Sequence, residues 1–176
     1  MLAGEPMHRS FRALIWAVLA AALALTVSAC DPQRVEKLEE GVATEADVRK
    51  QFGDPVTVTV EADGTRTLDY PRQPEGWTNY LIKIGADGKM SSLRQLLNAD
   101  NFARVQPGQT QQEVRNILGR PAKTVPFALK QQEVWDWRFK ASGQESKIFS
   151  VTFDSSGKVV SAALADDPRE ASTGSR

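Results

Sequence analysis

The chain has 176 residues, of which 41% are hydrophobic and 25% charged, with 22 basic against 22 acidic side chains. That composition is globular and charge-balanced, which excludes a disordered chain, a collagen-like chain and a polytopic membrane protein and gives no basic excess for nucleic acid. One Cys and one His exclude an internal disulfide framework and a usual structural zinc site.

The first residues read as an address. His8, Arg9 and Arg12 precede an apolar run from Ala13 to Val27. The run is shorter than the roughly 20 residues that a spanning helix needs, and a basic start, a short apolar stretch and small residues at its end make a secretory signal. Leu25-Thr26-Val27-Ser28-Ala29-Cys30 resembles the lipobox of bacterial lipoproteins. The resemblance implies a signal peptide over residues 1–29, cleavage before Cys30, fatty acylation of Cys30 and a lipidated tether over 30–34. The alternative is a plain signal peptide with an incidental Cys. Met1 and Met7 both stand as starts. Cleavage removes His8, and a second acyl chain is what makes such an anchor durable.

The rest of the chain is a tandem repeat, with units expected over 35–98 and 99–165. In the first, Val35 and Leu38 mark a weak first helix. Thr44 then caps a helix that ends at Gly53 and Pro55, with Asp47 a poorer capping-box partner than Glu. Val56, Val58 and Val60 alternate with threonines, Asp63-Gly64 turns, and Thr67–Tyr70 returns. Tyr80–Ile84 and Met90–Leu97 flank a second turn at Asp87-Gly88.

The second unit repeats this grammar more strongly. Ala99–Val105 is a short helix with Phe102 and Val105 inward, and Pro107-Gly108 is the turn after it. Thr110 and Glu113 form a capping box, Val114, Ile117 and Leu118 make one apolar stripe, and Gly119 suits a left-handed position before Pro121. Strands follow at Lys123–Leu129, Glu133–Lys140, Lys147–Phe153 and Lys158–Leu164. Thr, Val, Arg, Gly and Pro recur in the same order in the two helices, and Asp69-Tyr70 matches Asp136-Trp137. Such ordered self-similarity means internal duplication. The fold class is α+β: a tandem repeat of a helix pair packed on an antiparallel sheet of about four strands. A domain of about 60 residues buries only about 60% of its unfolded surface, so the units are expected to share one continuous sheet. Residues 166–176 read as a disordered tail.

The stretch from Phe102 to Thr110, with Glu113-Val114, Leu118-Gly119 and Pro121, resembles the helical signature of the SmpA/OmlA family of BamE-like lipoproteins, and Trp135-x-Trp137 resembles its aromatic strand. The resemblance implies a helix pair on a small antiparallel sheet and a lipid-anchored accessory role in assembling outer-membrane β-barrels. It implies envelope proteins, including the barrel-assembly machinery, as partners, and a periplasm-facing position on the outer membrane. Asp31 directly after the Cys resembles an inner-membrane retention signal, which keeps that membrane as the alternative. Two tandem units also resemble the architecture of the β-lactamase inhibitory protein, so an inhibitor-type binding module for an envelope enzyme is the alternative function.

The chemistry agrees with a non-enzyme. Without His or a free thiol the mature chain lacks imidazole and thiol catalysis, and no cofactor or metal is expected. Asp69 and Asp136 read as a solvated face, the Lys and Arg residues as a charged surface, and Gly108, Gly119 and Gly143 form no phosphate loop. Arg104, Arg115 and Arg120 are candidates for a lipid headgroup. Trp135, Trp137 and Phe139 share one side of a strand; the side is core beneath the helices, or an open face that anchors a partner. Trp77 and Tyr80, beside Pro74-Glu75-Gly76, are loop-borne aromatics. The candidate partner-binding residues are therefore Trp77, Tyr80, Trp135 and Trp137, and Cys30 is the lipidation site.

Overall fold

The structure is a computed structural model that describes Val35 and residues 37–142 and 145–171. The chain divides between Lys37 and Leu38, and all that follows lies on the C-terminal side of that division. The signal segment, Cys30 and the tether fall outside the described residues, as does the end of the tail.

Helix α1, Glu45–Phe52, opens the first half. Thr44 caps it with a complete capping box: its hydroxyl accepts from the Asp47 N–H, and the Asp47 carboxylate accepts from the Thr44 N–H at 3.0 Å. Asp therefore serves as well as Glu here, since the bond needs only one oxygen within reach of the cap N–H. Four antiparallel strands follow, β1 Thr57–Val60, β2 Arg66–Pro71, β3 Asn79–Ile84 and β4 Met90–Gln95, in spatial order β1-β2-β3-β4. Helices α2, Ala99–Ala103, and α3, Gln111–Leu118, open the second half, and β5 Lys123–Phe127, β6 Gln132–Lys140, β7 Ser146–Phe153 and β8 Val159–Asp166 form its sheet in the same order.

The expected continuous sheet is not found. The described residues form two separate four-stranded sheets, and the halves support each other through side chains instead.

The duplication extends to single hydrogen bonds. Thr44 bridges Lys89 and Thr110 bridges Lys158, closing each helix start onto its last hairpin. Each sheet slips register at the same place, between Lys83 and Ile84 and between Thr152 and Phe153. Helices α1 and α3 each end on a glycine whose carbonyl accepts a hydrogen bond from a strand aromatic: Tyr70 Oη donates to Gly53 O at 3.0 Å, and Trp137 Nε1 donates to Gly119 O at 3.1 Å. One contact is kept with its charges redistributed. Glu45 on α1 pairs with Arg66 on β2 at 2.6 Å, whereas Gln111 on α3 donates to Glu133 on β6 at 2.8 Å.

Alternation supplies the cores. Leu68, Tyr70, Tyr80, Ile82 and Ile84 face α1 residues Val48 and Phe52. Trp135, Trp137, Phe139, Phe149, Val151 and Phe153 face Phe102, Val114, Ile117 and Leu118. Phe102 stacks on Phe149 at 4.4 Å between ring centroids and tilts against Phe139 at 4.7 Å. Burying a ring or aliphatic side chain of this size contributes about 1.5–3 kcal/mol.

Two expectations need correction at the ends. Gly119 has positive φ (74°), but with ψ −160° it lies in a region open essentially to glycine alone rather than in the left-handed helical one. The stretch from residue 166 is not free either: Asp166 ends β8, Asp167 is 2% exposed, and Pro168–Ala171 is helical. Asp167 is ordered because its charge is buried against Arg138.

The two cap glycines make a paired test. A Cβ on Gly53 would meet nothing within 4 Å, whereas one on Gly119 would sit 3.0 Å from Asn79 Nδ2 and 3.3 Å from Leu96 Cδ1. Gly53→Ala is expected to lose about 1–3 kcal/mol from backbone strain alone, and Gly119→Ala clearly more, in urea melts of the two variants beside wild type.

Candidate functional site

The segment between β2 and β3, residues 72–78, leaves the first sheet and lies on the second. Its anchor is Gln73. The amide of Gln73 donates to Arg138 O at 2.7 Å and accepts from Arg138 N at 3.4 Å. Strand β5 pairs with β6 only as far as Lys123 opposite Asp136, so at Arg138 the side chain of Gln73 takes the place of a missing strand. Asn79, 0% exposed, does the same for helix α3: its Nδ2 donates to Leu118 O at 2.8 Å and Arg120 O at 2.9 Å. Two carbonyls at the end of α3 thus find a donor from the other half.

Arg138 sits at the centre of this junction and is 7% exposed. Its Nε and Nη2 both reach Asp167 Oδ2 at 2.6 Å, and its Nη1 donates to Pro74 O at 3.3 Å. The guanidinium lies 3.9 Å from the Trp77 ring centroid, and Lys140 Nζ lies 4.3 Å from the same ring. Such cation–π contacts are worth more when shielded from water. Asp167 feels burial first, which raises its pKa, but the Arg169 N–H and the Arg138 side chain outweigh that and hold it below the ordinary value of 3.8.

The aromatic candidates therefore have mixed fates. Tyr80, Trp135 and Trp137 are core residues rather than rings on an open face. They lie on the sheet side that the helices cover, with Tyr80 edge-on to Phe52 at 5.2 Å and Trp135 beneath Arg115 at 4.8 Å. Trp137 is 0% exposed. The buried Trp135 Nε1 has no hydrogen-bond partner among the described residues. Trp77 alone is half-buried, on the segment between the sheets.

An open feature lies on the other side of the first sheet. A groove of about 870 Å³ runs between that face (Thr57, Thr67, Asp69 and Leu81 among its residues) and the exposed side of α3 with the start of β5. Asp69 is not on a solvated face. It is half-buried in this groove, its Oδ1 is closed to solvent without a donor, and no ion pair reaches it among the described residues. Burial alone pushes its carboxyl above the ordinary 3.8. A second groove, about 890 Å³, lies between α2 and β8. It borders Leu164, an exposed apolar residue.

Arg104 stands apart from the other two candidates, bonding Asn101 at 2.9 Å, whereas Arg115, which lies over Trp135, and Arg120 both line the first groove. Among the described residues no group of acidic, His or Cys side chains could hold a metal, and no helix is long and apolar enough to cross a membrane. Residues Gln73, Asn79 and Arg138 were invisible as site residues in the sequence, because their partners are far along the chain and lie outside the repeat pattern. The state of Asp69 did leave a signal: its neighbours differ from those of Asp136 at matched positions.

Residues 95–163 match the family model described as the outer membrane protein assembly factor BamE domain. Among solved structures, the chain is similar to one described as an osmotically inducible lipoprotein, OsmE, at 24% identity and TM-score 0.36, over 44% of this chain and 90% of that one. It is similar to a DUF4309 family protein, YjgB, from Bacillus subtilis subsp. subtilis str. 168 at 15% identity and TM-score 0.29, over 74% and 82%. A third similarity, at 11% identity and TM-score 0.27 over 70% and 83%, is to a Streptococcus mutans structure described as a β-lactamase inhibitor protein. No curated protein matches.

The junction is testable. Arg138→Ala leaves the buried Asp167 with only the more distant Arg169, 3.9 Å away, as counter-charge and is expected to lose about 3 kcal/mol. Because the pKa of Asp167 is depressed on folding, its contribution is full above pH 3.8 and fades as pH falls below that value toward the folded pKa. Urea melts at pH 6 and pH 3 should show the gap between wild type and Arg138→Ala narrowing in acid.

Proposed function

We propose that this chain is a lipid-anchored, non-catalytic interaction module of the bacterial envelope, an accessory of outer-membrane β-barrel assembly. The observation that carries the reading is the BamE domain match over residues 95–163. Residues 25–30, with their lipobox pattern, support acylation at Cys30 and a periplasm-facing body, with the outer membrane favoured over the inner one.

In this reading the lipid holds the body at a surface and raises its effective concentration there, and specificity comes from the grooves and the Trp77 segment. A cross-braced pair of sheets suits such a task, since a rigid partner loses little freedom on binding. The inhibitor-type alternative relies on aromatic anchors open to solvent. Tyr80, Trp135 and Trp137 are buried, which favours the accessory reading over an inhibitor built on those rings.

Two measurements test it. Mass spectrometry of the native protein from fractionated envelopes is expected to show an acylated Cys30 at the mature N-terminus in outer-membrane fractions; a mature N-terminus elsewhere removes the anchor. In-cell crosslinking followed by purification is expected to return a component of the barrel-assembly machinery. Its absence would remove the assembly role and leave the fold untouched.

A further inference from the structure

Four strands stand at the edges of the two sheets, β1 and β4 in the first and β5 and β8 in the second. An edge offers a row of unpaired N–H and C=O groups to another strand, and proteins blunt it by shortness, charge, proline or cover. Strand β1 is four residues long, and β5 carries Lys123 and Pro126. Strand β4 is covered: the Glu40 carboxylate accepts from the outward N–H of Leu93 at 2.9 Å. Strand β8 has none of these devices between Val160 and Ala165. Its Asp166 stands at the end and is paired with Lys147 at 2.6 Å.

The repeat shows this to be a divergence. Met90 and Val159 occupy one position: their N–H groups donate to Ala43 O at 2.7 Å and Gln109 O at 2.8 Å, and their carbonyls accept from Gly41 and Gly108, both at 2.8 Å. Three residues on, Leu93 matches Ala162, and the facing residues Ile82 and Val151 agree. The N–H of Ala162 therefore points out of the sheet, as does that of Leu164. Glu40 stands before Gly41, whereas Pro107 stands before Gly108, so the carboxylate that closes the first edge has no counterpart. Arg94 has become Ala163, and Gln95 has become Leu164, which is 61% exposed. Every residue from Val160 to Asp166 is exposed, and among the described residues no hydrogen bond from outside the sheet reaches the backbone of Ala162 to Ala165.

We infer that β8 takes up an extended polypeptide segment at its outer edge by strand addition, and that this segment alternates bulky apolar with polar side chains. The outward donors and acceptors of Ala162 and Leu164 require an extended backbone. The two sides of the sheet require the alternation. On the helix side lies the groove of about 890 Å³, walled by Phe102, Phe139, Phe149 and Leu164. Its charged lining residues, Lys147 and Asp166, neutralise each other, so the complementary side chains are bulky and uncharged. Ala163, opposite Ser150, lies on the other face of the sheet, away from the helices, where polar side chains of the segment meet water. Such alternation is the pattern of a membrane β-barrel strand. The identity of the segment rests on the assembly reading and names its partner: a barrel strand not yet inserted. A second copy of this chain fits less well. Two β8 edges would share only residues 160–166, short of the roughly 1,000 Å² that a stable interface needs, and would bring mainly alanines to a groove with room for far more.

The test uses the full chain, isotope-labelled and held in detergent, with the acetylated peptide amide Ser-Val-Thr-Tyr-Ser-Val-Thr-Tyr-Ser as the probe. The controls are Ser-Ser-Val-Val-Thr-Thr-Tyr-Tyr-Ser, of equal composition, and the probe N-methylated at its valines and tyrosines, whose N–H groups would face β8. The probe is expected to slow hydrogen exchange at Ala162 and Leu164 and to leave Ala163, whose N–H faces β7, unchanged. Both controls, Ala163→Arg and Leu164→Gln are each expected to weaken binding about tenfold or more. Ala162→Pro is expected to do the same, since it removes an outward donor and spares the ladder to β7. Val58→Lys, on the β1 edge, leaves binding unchanged. Controls that bind as tightly as the probe, or binding that survives Ala163→Arg, overturn the inference. So does slow exchange at Ala162 and Leu164 without peptide, whether it comes with a doubled mass, which assigns the edge to a second copy, or is relieved in a chain ending at Ala171, which assigns it to the chain's own end. In cells, a photo-crosslinker at Ser161 is expected to trap outer-membrane barrel proteins. Trapping none while the peptide still binds overturns the barrel identity of the segment. Loss of peptide binding while crosslinked envelopes still return the assembly machinery overturns this site and leaves the assembly reading standing.

Discussion

The carbonyls at the end of α3 hold this protein together. A helix that stops inside a structure leaves several carbonyls without partners, and here Leu118, Gly119 and Arg120 face the junction of the two halves. Asn79, from the first sheet, takes two of them, and Trp137, from the second, takes the third. A glycine at 119 suits the approach, because a Cβ there would be strained at positive φ and crowded by Asn79 and Leu96 at 3.0–3.3 Å. Each half alone is near the size at which burial barely balances chain entropy. Satisfying one half's helix end with the other half's side chain removes that problem without a shared sheet.

Duplication followed by divergence explains most of the remaining features. The capping boxes, the bridges Thr44–Lys89 and Thr110–Lys158, and the aromatic donors to the cap glycines are retained in both halves. These are bonds within a half, needed for either copy to fold. The features that differ are those that face outward or meet the other half. Asn79 and Gln73 serve the second half, and Arg138 answers with Pro74 and Trp77. Glu45 with Arg66 became Gln111 with Glu133, a change of charge at constant geometry.

The two halves have consequently become unequal surfaces. The outward face of the second sheet is occupied near Arg138 by the segment from the first half. The outward face of the first sheet opens instead onto a groove with an uncompensated acid at its floor. The BamE domain match covers only the second half and the end of β4. Apart from that end of β4, the sheet of the first half, which forms one side of the open groove, lies outside that match.

Local grammar was legible in the residues themselves. Thr44 and Thr110 as caps, the positions of the glycines, the strand alternation and the tandem repeat all follow from neighbours within a few residues, where hydrogen-bond geometry and side-chain period leave little choice. The side of β6 that carries Trp135 and Trp137 was legible too, but whether that side was core or surface was not. A period of two says which residues share a face and nothing about what covers it. Tertiary structure alone decided that the sheets are separate, that Arg138 and Asp167 are buried together, and that Asp69 rather than Asp136 lacks a donor. The physical reason is distance along the chain: Gln73 meets Arg138 and Asn79 meets Leu118, and no local pattern encodes a contact between segments so far apart.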